Sequence, residues 1–498
     1  MGLGHAYCAL ALALLGVCRV GAVSLDVPSA PDADRQCIDP SFQAFSIEFF
    51  SFLDYTGNSS YSNELNTNLV NNIIDIGGSH VEMRIGGSSG NLLHWDPDLD
   101  VGMLPSFPSG SDKPNYVKVG PKLMEGFSVW PNNTKYIFGM DFNFSTYDNL
   151  VETDLNIAPL VFDTLGDQLE SFEIGNEFGH GFKEGIPGYV ELWLAYARNV
   201  SEAVWSVEDT KKFWVGGFQE PTCFNSSCFT VQTIMEQGIE DSGLAKTANT
   251  HVYMGSAGSS WLDSQFLMNH NNTQGKVDWQ APLADYATSI GVPYVMGETN
   301  SLSGHGKAGV SDTFGAALWA VDYVLYAATT NITKLYFHQG TGWKYSAWSP
   351  VEAFGFPAGV QGTYFSWLFT AKALKGGHKQ FEVLYSNQTF VAYGIYKNGC
   401  SSSKANLESI AAINLQAWDA SEDSADRPVI YVDIPESLNA TSAKVRRLTA
   451  PGANVKWGIT FDSQGVDTDG TINGTAKSEK ISDGRVGVAA SEAVLITF

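Results

Sequence analysis

A chain of 498 residues exceeds what one hydrophobic core ordinarily supports, so two domains are expected. With 44% hydrophobic and 12% aromatic residues it can fill sizeable cores, which excludes a disordered protein. Its 53 acidic against 29 basic residues give a formal charge of −24, a field that repels nucleic acid and densely sulfated glycans.

The chain opens on an apolar run, Ala6 to Val17, too short to span a membrane and followed by the small residues Val20-Gly21-Ala22. Residues 1–22 therefore read as a secretory signal, although no Lys or Arg precedes the run. No later stretch is apolar enough to anchor the chain, so a secreted protein without a membrane partner is expected. Cleavage would leave Cys37, Cys223, Cys228 and Cys400, which permit three pairings in an oxidising compartment. Cys223 with Cys228 and Cys37 with Cys400 is the favoured set. Sequons at Asn58, Asn132, Asn143, Asn199, Asn225, Asn271, Asn331, Asn387, Asn439 and Asn473 suit a glycosylated extracellular protein. Neither the cysteines nor the nine histidines follow a zinc-ligand spacing, and no metal or cofactor is expected.

Residues 37–374 read as alternating strands and helices. Eight short apolar runs are predicted as strands: 44–50, 80–87, 136–143, 171–177, 213–218, 249–255, 293–298 and 334–340. A helix is predicted over Tyr189 to Trp205. Another starts at an N-cap Ser311 and sets Phe314, Ala317, Leu318, Val321 and Leu325 on one face. Eight alternations imply an α/β fold with a closed (β/α)8 barrel. From 375 to 498 helical periods vanish and short β runs follow turn by turn, from FVAYGIY to the final AVLITF, as in a β-sandwich.

Two carboxylates carry the chemical argument. Glu177 ends the fourth strand in FEIGNE, and Glu298 ends the seventh in PYVMGE. The C-terminal ends of barrel strands face the substrate, and a carboxylate half buried there without a role is costly. If the two lie about 5 Å apart, they suit a retaining glycoside hydrolase with Glu298 as nucleophile and Glu177 as acid/base. Asn176 is placed to bond a sugar 2-hydroxyl, and Arg84 to keep Glu298 ionised. Asn63-Glu64 repeats the Asn-Glu pair in a polar stretch, so the dipeptide alone decides nothing.

Two motifs compete. Gly86-Gly87-Ser88-Ser89-Gly90 matches the serine nucleophile elbow, but the following NLLHWDPD lacks the helix that an elbow needs. Gly304 to Gly309 matches GxGxxG, yet its first glycine lies six residues past the strand tip, and no ribose-binding acid follows. A glycine-rich loop there is better suited to bring backbone N–H groups to a substrate anion.

With these residues in place, the chain resembles glycoside hydrolase family 79, the β-glucuronidase and heparanase family. The matching motifs are MRIGGSSGN (83–91), FEIGNE (172–177), GETNSLSGHG with SDTF (297–314) and SEAVLITF (491–498). The resemblance implies a retaining mechanism and a sandwich joined by the N-terminal segment 23–36. It implies that Glu177 is the acid/base and Glu298 the nucleophile. It further implies that Glu48, Ser88, Asn176 and Tyr253 hold the sugar, and that Gly304, His305 and Tyr364 grip the uronate carboxylate. His305 stands where the heparanase branch has Gly. Because the chain is acidic, the expected substrate is terminal β-linked glucuronate, with or without a 4-O-methyl group, on a largely neutral glycan or small glucuronide. The competing readings are an endo-acting heparanase-like glucuronidase and a sugar-binding protein without turnover.

Overall fold

The eight apolar runs form eight parallel strands that close into one barrel in the computed structural model. The structure describes residues 21–32, 35–142, 147–178, 185–205, 213–400, 405–438, 440–481 and 483–498. The strands are β1 (Gln43–Glu48), β2 (Val81–Gly86), β3 (Thr134–Met140), β4 (Leu169–Ile174), β5 (Phe213–Gln219), β6 (Ala245–Ser256), β7 (Tyr294–Ser303) and β8 (Ile332–Gln339). Each pairs in parallel with its successor, and β8 closes on β1. Of the expected signal over residues 1–22, residues 1–20 lie outside the described residues, while Gly21 and Ala22 are placed in a strand of the C-terminal domain.

Alternation inside the barrel sets up the chemistry. Successive side chains on a strand face opposite ways, so residues two apart share the interior. A lower interior layer is largely apolar: Ala44, Ile137, Trp214, Val295 and Tyr336 pack together, beside the Glu82–Lys334 ion pair. Two residues higher on their strands come the polar Ser46 of β1 and His338 of β8, both buried. Above Ser46 stands Glu48. β1 is thus greasy below and charged at its C-terminal end.

The helix at the seventh strand differs from the predicted one. It spans Phe314–Ala327 with Thr313 as N-cap, and all of its residues are buried rather than one face. The reason is a second covering layer. The N–H groups of Phe314 and Gly315 donate to the carbonyls of Val455 and Ala453 in the C-terminal domain.

That domain is built on two main sheets, with a small two-stranded ribbon at 465–473 beside them. One runs β9 (Lys379–Ser386), β10 (Phe390–Lys397), β11 (Asn406–Asn414), then the final strand Glu492–Thr497 and Lys444–Thr449. The other joins the N-terminal strand Gly21–Ser24, Val429–Asp433 and Arg485–Ala489. Val23, Phe390, Ile410, Val432, Val488 and Ile496 fill the layer between them. Disulfides close between Cys37 and Cys400, across the two domains, and between Cys223 and Cys228.

One buried polar cluster ties the domains together. His270 Nδ1 lies 3.0 Å from the Asp322 carboxylate, which also accepts from Tyr393 Oη at 2.6 Å. Burial opposes charge on His270, but Asp322 outweighs it and raises the ring pKa above 6.5. A raised folded pKa means that the stability is fully present below 6.5 and is lost as pH rises through the folded value. The melting-temperature gap between wild type and His270→Gln is therefore expected to shrink from pH 5 to pH 8. A gap that widens over that range would contradict the assignment.

Candidate active site

The turn after β4 presents the first carboxylate. Gly175 has φ 80°, and a side chain there would meet Phe142 Cβ at 2.7 Å. Glu177 follows in the left-handed region at φ 57°, a conformation that costs a non-glycine residue on the order of 1 kcal/mol. Its N–H donates to Gly217 O at 2.8 Å, which holds the turn. The carboxylate accepts from Gln219 Nε2 at 2.9 Å and lies 3.1 Å from His251 Nδ1. Its side chain is 24% exposed, open to the cleft.

The second carboxylate sits inside its strand. The expectation that Glu298 ends the seventh strand is corrected: β7 runs on to Ser303, because β6 also extends past the rim and pairs with it up to Ser256. The register between β6 and β7 slips at Gly297, so Thr250 pairs with Met296 and His251 with Glu298. Asn249 Oδ1 accepts the Gly297 N–H at 2.8 Å and packs where a side chain would stand. That bulge aims Glu298 at the barrel mouth.

Glu298 is clamped on both oxygens. Tyr253 Oη donates to Oε1 at 2.7 Å, and Arg84 Nη1 to Oε2 at 3.0 Å. Burial opposes the charge, but His338, His251 and Arg84 with the Tyr253 hydroxyl hold the carboxyl well below the usual range. Burial and the Glu298 charge push Tyr253 far above the ordinary phenol, which keeps it a donor.

Arg84 is the hub beneath. It is completely buried, and besides Glu298 it donates to Glu173 at 2.6 Å, Ser46 at 2.9 Å and Asn176 Oδ1 at 2.8 Å. Asn249 Nδ2 holds the other Glu173 oxygen at 2.7 Å. Beside it Glu48 accepts from the Ser89 N–H at 2.7 Å and meets His338 Nε2 at 3.1 Å.

A carboxylate oxygen of Glu177, one of Glu298 and a ring nitrogen of His251 all lie within 4.8 Å of one another. This is the short separation suited to covalent capture followed by hydrolysis, against 6.5 Å or more, roughly, where a water must fit between the carboxylates. Both face a cleft of about 510 Å³, which Glu48, Ser88, Tyr253, Gly304 and His305 also line. Asn176 and Arg84 stand behind this wall. His305 has φ 69°; its ring stacks on Trp343 at 4.0 Å and meets Asp112 at 2.7 Å.

Tyr364 is a correction. Its side chain is fully buried, donates to Leu69 O at 2.8 Å and accepts from Asn72. It begins the helix Tyr364–Leu374, which packs on the helix Glu64–Gly77 outside the barrel, so it cannot reach the cleft. Besides Tyr253, the tyrosine that lines the cleft is Tyr345, in the loop beyond β8. Glu173, Gln219, Asn249, His251, His338 and Trp343 also escaped the sequence reading. For Asn249 and His251 a signal existed: with Tyr253 they recur every second residue in a buried strand, a polar line pointing into the barrel. The two competing motifs also resolve. After Gly87 comes a short 3-10 turn, Ser88–Leu92, instead of the elbow's helix, and the GxGxxG loop forms cleft wall at Gly304 and His305.

Comparison with known proteins agrees with this architecture. Residues 392–495 match the model of the glycosyl hydrolase family 79 C-terminal beta domain. A β-glucuronidase of Aspergillus niger is 30% identical over 472 residues, covering 88% of this chain and 85% of that protein. A Neurospora crassa β-glucuronidase is 27% identical and covers 89% and 87%. Among solved structures, a 4-O-α-L-rhamnosyl-β-D-glucuronidase from Fusarium oxysporum shares the fold, with a TM-score of 0.80 at 21% identity over 96% of this chain and 100% of that one. Similarity that runs through both barrel and sandwich is more than a shared scaffold: the chain is a glycoside hydrolase and belongs to glycoside hydrolase family 79.

Proposed function

We propose that the protein is a secreted, retaining, exo-acting β-glucuronidase. The observation that carries the mechanism is the pair of carboxylates within 4.8 Å of each other, one clamped in its charged form and the other open to solvent. The substrate class rests on the β-glucuronidases to which the chain is similar.

Glu298 attacks the anomeric carbon while the bond to the aglycone oxygen breaks, and Glu177 gives that oxygen its proton. The product is an ester between Glu298 and the sugar. Glu177, now a carboxylate, takes a proton from water as the water oxygen attacks the same carbon and the ester bond breaks. Glucuronic acid leaves and both glutamates regain their first protonation states. Tyr253 and Arg84 keep the nucleophile oriented and charged, and Asn176, held by Arg84 behind the cleft wall, is assigned the contact to the 2-hydroxyl as part of this proposal. Gly304, His305 and Lys113 line the wall where the uronate carboxylate is seated.

Both disulfides and the exposure of seven of the eight described sequon asparagines support passage through a secretory compartment; Asn331 is half-buried, and Asn143 and Asn439 fall outside the described residues. Among the described residues no helix is long and apolar enough to cross a membrane. The substrate reading is tested by comparing p-nitrophenyl β-glucuronide with the matching glucoside and xyloside at pH 5. Glucuronide is expected to be preferred by about 100-fold or more in kcat/KM. Preference for a neutral sugar overturns the assignment.

A further inference from the structure

Beside the cleft, the barrel rim carries a second groove of about 530 Å³. Both are lined by Glu220 and Lys276, which form an ion pair at 2.7 Å. Glu220 directly follows Gln219, the donor to Glu177, so this groove opens on the acid/base side of the cleft. In the mechanism above the departing oxygen faces Glu177. The aglycone therefore extends toward the groove.

The groove presents aromatic surface. Trp279 is 42% exposed, its ring packs 4.9 Å from Phe224, and its indole N–H donates to Pro221 O at 2.9 Å. Phe266, also in the groove lining, meets Trp261, which is 69% exposed, edge-on at 5.5 Å. An indole held rigidly yet open to water is a poor use of apolar area unless something covers it. The C–H face of a pyranose does so, and the ring hydroxyls find partners in Asn272 and in the Glu220–Lys276 pair on the same wall. Since that pair is already neutralised, the groove suits uncharged sugars.

We propose that this groove is a binding subsite for neutral sugar residues of the aglycone chain, with Trp279 as its stacking platform. The inference rests on the glucuronidase reading and deepens it: the natural substrate is a glucuronate-capped oligosaccharide or polysaccharide, and small glucuronides use only the first cleft. The rival occupant is the protein's own N-glycan at Asn271, which also lines the groove.

The test compares kcat/KM for p-nitrophenyl β-glucuronide and for arabinogalactan bearing terminal glucuronate. Trp279→Ala is expected to leave the aryl value within about twofold and to lower the glycan value about tenfold, mainly through KM, with Trp279→Phe restoring most of the loss. A glycan value that stays within about twofold, or that falls in step with the aryl value, overturns the proposal. Asn271→Gln is expected to change neither substrate; a gain of about fivefold or more in glycan turnover assigns the groove to the N-glycan instead. Wild type that cleaves no glucuronide at all refutes the earlier reading, whereas the ratio between substrates judges the groove alone.

Discussion

Glu298→Gln is expected to lower kcat on an aryl glucuronide by on the order of 10⁴-fold, about 5.5 kcal/mol of transition-state stabilisation. The amide keeps the shape of the clamp but cannot form the glycosyl ester. Because the Tyr253 and Arg84 contacts are lost only in part, substrate binding should survive, and isothermal titration with a slow glucuronide checks this. Turnover within tenfold of wild type would reduce the protein to one whose chemistry lies elsewhere. Retention of binding without any wild-type turnover would favour the sugar-binding alternative. The charge on Glu298 also sets a pH limit. Its folded pKa is depressed below 4.5, so its contribution to stability is present above 4.5 and is lost as pH falls through the lower folded value. The nucleophile therefore stays ionised in mildly acid surroundings, and the acid limb of kcat should lie below pH 4.5 unless Glu177 or substrate sets it.

Arg84→Met should have the larger effect on stability. Removing the guanidinium leaves Glu173, which is closed to water, and Glu298, at the floor of the cleft, without their common cation. Breaking a buried pair in this way costs about 3–5 kcal/mol, and two carboxylates share this partner. Urea unfolding at pH 7 measures the loss, and a change under about 1 kcal/mol would mean that the histidines and Tyr253 suffice. If the variant stays folded, the acid limb of kcat should also move up, since Glu298 loses one of the groups that keep it charged. Loss of stability with an unmoved limb would confine Arg84 to a structural part.

The barrel was readable because buried parallel strands are short continuous apolar runs, and all eight lie where the pattern set them. Glu177 was readable at the end of the fourth apolar run, although β4 itself stops at Ile174 and Glu177 stands in the turn beyond it. Glu298 was identified as a residue, but its strand ran five residues further, because the extension depends on pairing with β6, a contact distant in sequence. The helix Phe314–Ala327 was taken as one-sided, since nothing local shows that a second domain covers its outer face. Tyr364 shows the limit of transfer by resemblance: a tyrosine at a plausible spacing lies on the outside of the barrel, while Tyr345, in an irregular loop without periodicity, reaches the cleft. Gln219 was equally hidden, because its task is to hold another side chain.

The strand Gly21–Ser24 pairs with Val429–Asp433, and Cys37 reaches Cys400 across 363 residues. During vectorial synthesis the opening segment must therefore wait, without its partner, while the whole barrel is made and assembled. Its docking follows the synthesis of Cys400 and Val429–Asp433 and ties the segment before the barrel to the domain after it. The second sheet therefore lacks its edge strand until both halves of the chain have been made.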